Sequence, residues 1–110
     1  MKCDVNKDGL VAVVHPHDAL TAETVDDLTR VVRETATAKA GRVVIDCVDV
    51  AYLDSRGIET LLQMCGGGVG CGPRLAALTD TCREALDLTD VLSQLDVFDT
   101  VENAIRSYRQ

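Results

Sequence analysis

The sequence predicts an α/β domain: a mixed, mostly parallel sheet of four to five strands packed with about four helices. Three observations carry that expectation. Short β-branched apolar runs alternate with stretches whose apolar residues recur every three or four positions, in the order ββαβαβαβα. One run, within Arg42 to Tyr52, is apolar on nearly consecutive residues, as in a central strand covered on both faces. The chain has 110 residues, enough for one core and too few for two, so residues 1–110 are expected to form one domain.

Val5 to Val14 reads as two short strands around a turn at Asn6-Lys7-Asp8-Gly9, with Gly9 free to adopt positive φ. His15-Pro16 ends the second strand, because proline cannot donate to a ladder. Asp18 to Lys39 reads as one helical stretch. Leu20, Thr24, Leu28, Val31, Val32 and Thr35 form its stripe, and Glu23, Asp26 and Asp27 near its N-terminus complement the helix dipole. Gly41 is the stop signal.

Val43-Val44-Ile45, Cys47-Val48 and Val50 follow as the buried strand, with Asp46 expected near an end or a polar rim. After the junction Leu53-Asp54-Ser55-Arg56-Gly57, residues Ile58, Leu61, Leu62 and Cys65 lie on one helical face, and Ser55 stands at the N-cap position. Gly66 to Pro73 is a glycine-rich loop. Leu75 to Leu78 reads as another short parallel strand. Thr79-Asp80 caps a third helix with Cys82, Ala85 and Leu86 inward, and Val91, Leu92 and Leu95 fill the return. Val97-Phe98 is a short strand. Asp99 and Glu102 have capping-box spacing and open a last helix with Val101, Ala104, Ile105 and Tyr108 inward.

Composition narrows the function classes. Eleven Lys+Arg against 18 Asp+Glu give a net charge of −7, which argues against sequence-independent nucleic-acid binding and against adhesion to an anionic membrane. Aromatics are 3% of the chain, too few for a base-stacking platform. The first residues lack an apolar signal-peptide core, and no stretch approaches the ~18 apolar residues of a membrane span. A cytoplasmic protein with a protein partner is therefore expected. The five cysteines read as reduced thiols, with Cys47 and Cys82 in the core. Cys65 and Cys71 lack the spacing of zinc ligands, and no metal site or cofactor is expected.

The motifs that could carry chemistry are few. Neither GxGxxG nor GxxxxGK threads through Gly66 to Arg74, so the glycine loop gives no phosphate cradle. His15 and His17, near Asp18, have no third ligand placed by spacing and read as part of a surface loop beside a sheet end. No G-x-S-x-G elbow surrounds any serine. Asp54-Ser55-Arg56-Gly57 differs, because it joins the carboxyl end of a central strand to a helix N-terminus, where sites of open α/β sheets lie. Ser55 there can serve as an N-cap, as a phosphorylated hydroxyl, or as both.

These residues resemble the STAS domain of anti-sigma factor antagonists. The resemblance rests on Val43-Val44-Ile45-Asp46-Cys47, then Tyr52-Leu53-Asp54-Ser55-Arg56-Gly57-Ile58, then Leu61-Leu62. Asp18 to Glu23 is similar to the family's aspartate-containing loop, and Thr79 to Thr89 with Val97 to Ala104 to its C-terminal half. Arg56 stands where the family often has a small residue, Asp90 where it often has glycine, and His15-Pro16-His17 replaces the usual segment before the loop aspartate.

The resemblance implies a STAS-like fold and a partner switch. The unmodified chain binds an anti-sigma factor that is also a serine kinase. That kinase phosphorylates Ser55 and releases the complex, and a serine phosphatase resets it. The implied partner-binding rim comprises Asp18, Thr21, Asp54, Ser55, Arg56, Gly57 and Ile58, with Arg56 pairing Asp54, contacting phosphate or altering partner choice. The net charge of −7 would steer the rim toward a basic surface. No catalytic residue is implied. The alternative is a STAS docking subunit of a transporter complex such as a lipid-transport ATPase.

Overall fold

The computed structural model describes residues 1–66 and 72–109. Its elements are β1 (Cys3–Asp8), β2 (Val11–Pro16), α1 (Val25–Ala38), β3 (Val43–Asp46), α2 (Ser55–Cys65), β4 (Arg74–Ala76), α3 (Asp80–Leu88), β5 (Val97–Phe98) and α4 (Val101–Ser107). The five strands form one sheet in the order β1-β2-β3-β4-β5. β1 pairs antiparallel with β2, and every other pairing is parallel. The mixed, mostly parallel sheet and the element order are those the periodicity predicts.

Several boundaries differ from the sequence expectation; among them, the central strand stops at Asp46 and the strand expected over Leu75 to Leu78 is Arg74–Ala76. The hairpin turn is Gly9-Leu10, since Asp8 pairs with Val11; Gly9 sits at φ +62°. Asn6, Lys7 and Asp8 belong to β1, an edge strand exposed beyond Cys3, where polar side chains are tolerated and deter edge-to-edge pairing. The first helix begins at Val25 rather than Asp18. Leu20 is diverted into an isolated parallel bridge with Leu53, a tertiary pairing that overrides the helical spacing. The last helix is capped by Thr100, whose hydroxyl accepts from the Asn103 N–H at 3.1 Å. Glu102, expected to close a capping box with Asp99, instead faces Arg106 one turn on at 3.5 Å.

Strand alternation sorts the core into two faces. Val14, Val43, Ile45 and Leu75 pack with Leu28, Val32, Leu61 and Leu86 from α1, α2 and α3. Val11, Val13, Val44 and Ala76 pack with Ala104 and Ile105 of α4, and Phe98, Val101 and Tyr108 lie against them. Val43, Val44 and Ile45 are fully buried, as expected for the central strand, and Asp46 is its last residue. Tyr108 donates its hydroxyl to the Val43 carbonyl at 2.9 Å, and Arg74 lies over the Tyr108 ring at 3.9 Å from its centroid.

Asp90, at the position where a glycine was the expected pattern, has φ +60°. The left-handed backbone there accounts for the glycine preference, and aspartate is among the residues that tolerate it best. Cys47, Cys65 and Cys82 are buried, so the core reading of Cys47 and Cys82 holds. Cys71 and most of the glycine loop lie outside the described residues. Among the described residues, no helix is long and apolar enough to cross a membrane.

Candidate partner-binding site at the carboxyl edge of the sheet

Two loops meet at the carboxyl edge of β2 and β3: residues 17–24 before α1, and residues 47–54 before α2. Backbone bonds join them. Leu20 donates its N–H to the Tyr52 carbonyl at 3.2 Å, and Asp54 donates to the Leu20 carbonyl at 3.1 Å. The first loop is also braced internally, and the second against β4 and the residue before α3. The Thr24 hydroxyl accepts from the Thr21 N–H at 2.9 Å and donates to the Ala19 carbonyl at 2.8 Å. Thr24 thus orders the loop, a role its place in the apolar stripe did not reveal. In the second loop, Cys47 donates to the Ala76 carbonyl at 2.9 Å. The Val50 carbonyl accepts from the Thr79 hydroxyl at 3.1 Å.

Asp54 is the N-cap of α2, and Ser55 is the first helical residue. This corrects the placement of Ser55 as the cap. Asp54 Oδ1 accepts from the Gly57 N–H at 2.8 Å, and its Oδ2 accepts from the Ala22 N–H at 3.0 Å in the other loop. A carboxylate offers two acceptor oxygens in one plane, whereas a serine hydroxyl offers one short arm. The Gly57 and Ala22 N–H groups hold the Asp54 carboxyl below its ordinary value, with smaller help from Arg56.

Capping by Asp54 frees Ser55. Its side chain is exposed, and its position in the first turn of α2 puts it at the positive end of the helix dipole. Arg56 is exposed as well. Among the described residues, Arg56 makes no ion pair.

Gly57 is buried against the first loop. A Cβ there would lie 2.2 Å from the Leu20 carbonyl oxygen, so only glycine permits this approach of helix to loop. Ile58 is partly buried and packs on the core. Thr21 and Asp54 are half-buried, and Asp18 is exposed at a bend just before the Leu20 bridge. The structure therefore brings Thr21, Asp54, Ser55, Arg56 and Gly57 to one junction. Asp18 is on the same edge, but its charge acts on Cys3 and is not among the causes of the Asp54 shift.

Two apolar side chains on the second loop were not anticipated as surface. Val48 is 51% and Tyr52 52% exposed, although both fall in a run that reads as buried strand. Only the end of β3 at Asp46 explains this, since the chain leaves the ladder there and the strand alternation lapses.

A family model described as the STAS domain matches residues 2–104. No curated protein matches the chain in sequence. Among solved structures, the chain is similar to an anti-sigma factor antagonist from Mycobacterium paratuberculosis. That match has a TM-score of 0.82 at 20% identity, over 99% of this chain and 94% of the other. It is similar to the anti-sigma factor antagonist SpoIIAA in its unphosphorylated form, with a TM-score of 0.72 at 15% identity over 98% and 96%. It is also similar to a sulfate transporter family protein from Wolinella succinogenes, with a TM-score of 0.73 at 17% identity over 94% and 88%. At these identities the likeness is one of fold.

Proposed function

The chain belongs to the STAS domain family, and from that premise we propose that it is an anti-sigma factor antagonist in a partner switch controlled by phosphorylation of Ser55. One observation carries the reading. The hydroxyl of Ser55 is exposed on the first residue of α2, on an edge that Asp54, Leu20 and Gly57 hold rigid. A kinase can reach it, and its modification breaks no hydrogen bond with a described residue.

The electrostatics favour release. A phosphate adds roughly −1.5 to −2 charge. It is placed directly after the Asp54 carboxylate, on a chain of net charge −7. The helix N-terminus and Arg56 accommodate that charge within the chain itself. In a tight interface the same phosphate must be desolvated beside Asp54 with no solvent to screen it, so the complex loses affinity while the fold stays intact. Asp18, Thr21, Asp54, Ser55 and Arg56 form the polar part of the proposed partner surface. Val48 and Tyr52 supply its apolar part. Gly57 and Ile58 keep the surface in place from beneath.

The partner is an anti-sigma factor with serine kinase activity, and a serine phosphatase reverses the mark, in a cytoplasmic setting. The chain itself carries out no chemistry in this reading. Burial raises the thiols of Cys47, Cys65 and Cys82, which removes the thiolate a cysteine nucleophile requires. Incubation of the native chain and Ser55→Ala with ATP and the serine kinases of the same genome tests the proposal. One phosphate on the native chain and none on the variant is expected.

A second reading, a docking domain of a transporter complex, is favoured by the likeness to the sulfate transporter family protein. Isolation of the chain in a stable, stoichiometric membrane complex, with Ser55 unmodified, would favour it over the switch.

A further inference from the structure

His15, His17 and Asp49 converge at the same edge of the sheet, where the chain leaves β2 and β3. One ring nitrogen of each histidine and one Asp49 carboxylate oxygen lie within 4.8 Å of one another. His15 Nε2 is 2.7 Å from Asp49 Oδ2, and His17 Nδ1 is 3.8 Å from the same oxygen. The two imidazoles are stacked, with centroids 4.6 Å apart and planes 18° off parallel. Sequence spacing places only the histidines together. The parallel pairing of β2 with β3 supplies the third donor from the loop that follows β3.

The ring nitrogens that face away from Asp49 also meet carboxylates, in a hydrogen bond at His17 and at ion-pair distance only at His15. His17 Nε2 bonds Asp4 Oδ2 at 2.7 Å, and His15 Nδ1 is 3.8 Å from Asp46 Oδ2. Each histidine thus has a carboxylate behind it. That outer partner is the one metal-binding histidines ordinarily have; it fixes the tautomer and raises the basicity of the donor nitrogen.

We propose that His15 Nε2, His17 Nδ1 and Asp49 form a binding site for a divalent transition ion of borderline softness, with Zn²⁺ as the representative ion. Two imidazoles exclude Ca²⁺ and Mg²⁺, which take oxygen donors. Ligands at ~2.0–2.2 Å from a single tetrahedral ion stand about 3.3–3.6 Å apart. Binding therefore draws the three donors, now within 4.8 Å of one another, together by up to about 1.5 Å, with the partly exposed His17 and Asp49 side chains turning and the rings leaving their stacked arrangement. Asp4 belongs to β1, His15 to β2, and Asp46 to β3. The ion therefore ties the edge hairpin to the loop after the central strand. Its remaining positions face solvent beside Asp49 and take water or a donor from a partner. The proposal does not rest on the phosphorylation of Ser55.

The test is titration of Zn²⁺ and Co²⁺ into the full chain, prepared without an affinity tag and stripped of metal by a chelator. Calorimetry is expected to give one ion per chain, and Zn²⁺ to raise the melting temperature. Co²⁺ is expected to give ligand-field absorption without a thiolate charge-transfer band. His17→Gln and Asp49→Asn should each weaken binding tenfold or more, and Asp4→Asn about tenfold, with unchanged circular dichroism before metal is added. The two ligand variants sit on different segments, so one reports even if the other misfolds. Equal affinity of the native chain and a folded ligand variant would overturn the site, as would a thiolate band placing the ion on a cysteine.

Discussion

The carboxylate of Asp54, at the start of α2, accepts a hydrogen bond from the backbone N–H of Ala22 at 3.0 Å, 32 residues earlier in the chain. The other oxygen of the same carboxylate caps α2 through the Gly57 N–H at 2.8 Å. One side chain therefore fixes both the helix that carries Ser55 and the loop that carries Asp18 and Thr21. Its removal frees two backbone donors at once. Asp54→Ala is expected to lower the melting temperature and to increase hydrogen exchange at Ala22 and Gly57 together. Increased exchange at Gly57 alone would mean that the bond to Ala22 carries no weight.

The same bonds set a pH dependence. They hold the Asp54 carboxyl below its ordinary value, so the unfolded chain binds this proton more readily than the folded one. The contribution is complete above the unfolded value of about 4 and is lost as pH falls through the lower folded value. The gap in melting temperature between the native chain and Asp54→Ala should stay constant from pH 7 to about pH 5 and close below about pH 4. A gap that widens in acid would reverse the sign of the linkage.

At Gly57 any side chain collides with backbone rather than with a movable side chain, because the Leu20 carbonyl oxygen lies 2.2 Å from the position of a Cβ. Gly57→Ala must push α2 off the first loop. The expected cost is about 3 kcal/mol, or a fall in melting temperature of about 10 °C or more, together with loss of partner binding. Thermal denaturation followed by circular dichroism measures the first, and a binding titration the second.

The end of α1 offers a change in the opposite direction. Ala40 has φ +53° and is exposed, a left-handed conformation that costs an L-residue roughly 1–2 kcal/mol and glycine little. Ala40→Gly should stabilise the fold by about 0.5–1 kcal/mol after the added chain entropy is counted. It follows the C-terminal end of α1, at the opposite end of that helix from the loop of residues 17–24, so binding should be unaltered. Chemical denaturation gives the number.

Burial protects the core thiols. The Cys65 thiol is pushed up to about 12, and Cys47 is raised further by burial and by its neighbours Cys82 and Asp46. Cys65 therefore stays in the thiol form at pH 9. Peptide mapping after brief maleimide treatment of the native chain should find Cys47, Cys65 and Cys82 unmodified at pH 7 and at pH 9, and modified in denaturant. Rapid native labelling of any of the three would revive a nucleophilic cysteine.

Much of this architecture is legible in the sequence, for identifiable reasons. Val43-Val44-Ile45 is buried on both faces, and its unbroken apolar run says so. The Ile58, Leu61, Leu62 and Cys65 face of α2 follows from helical spacing. What escaped depends on contacts between distant segments. Leu20 fits a helical stripe, yet the Leu53 bridge takes it out of the helix. Aspartate and serine are equally good caps by type, and only the contact of Asp54 with Ala22 in the other loop tells which of the two holds the helix start. Asp49 joins His15 and His17 through strand pairing alone, which no local pattern encodes. The exposed Val48 and Tyr52 escaped because the ladder stops at Asp46 while the apolar run continues.

The most direct test compares the affinity of the unmodified and the Ser55-phosphorylated chain for the cognate anti-sigma kinase, measured by calorimetry at one ionic strength with matched circular dichroism. Phosphorylation is expected to weaken binding tenfold or more, at about 1.4 kcal/mol per decade, without altering the fold. Equal affinity of the two forms would contradict the switch.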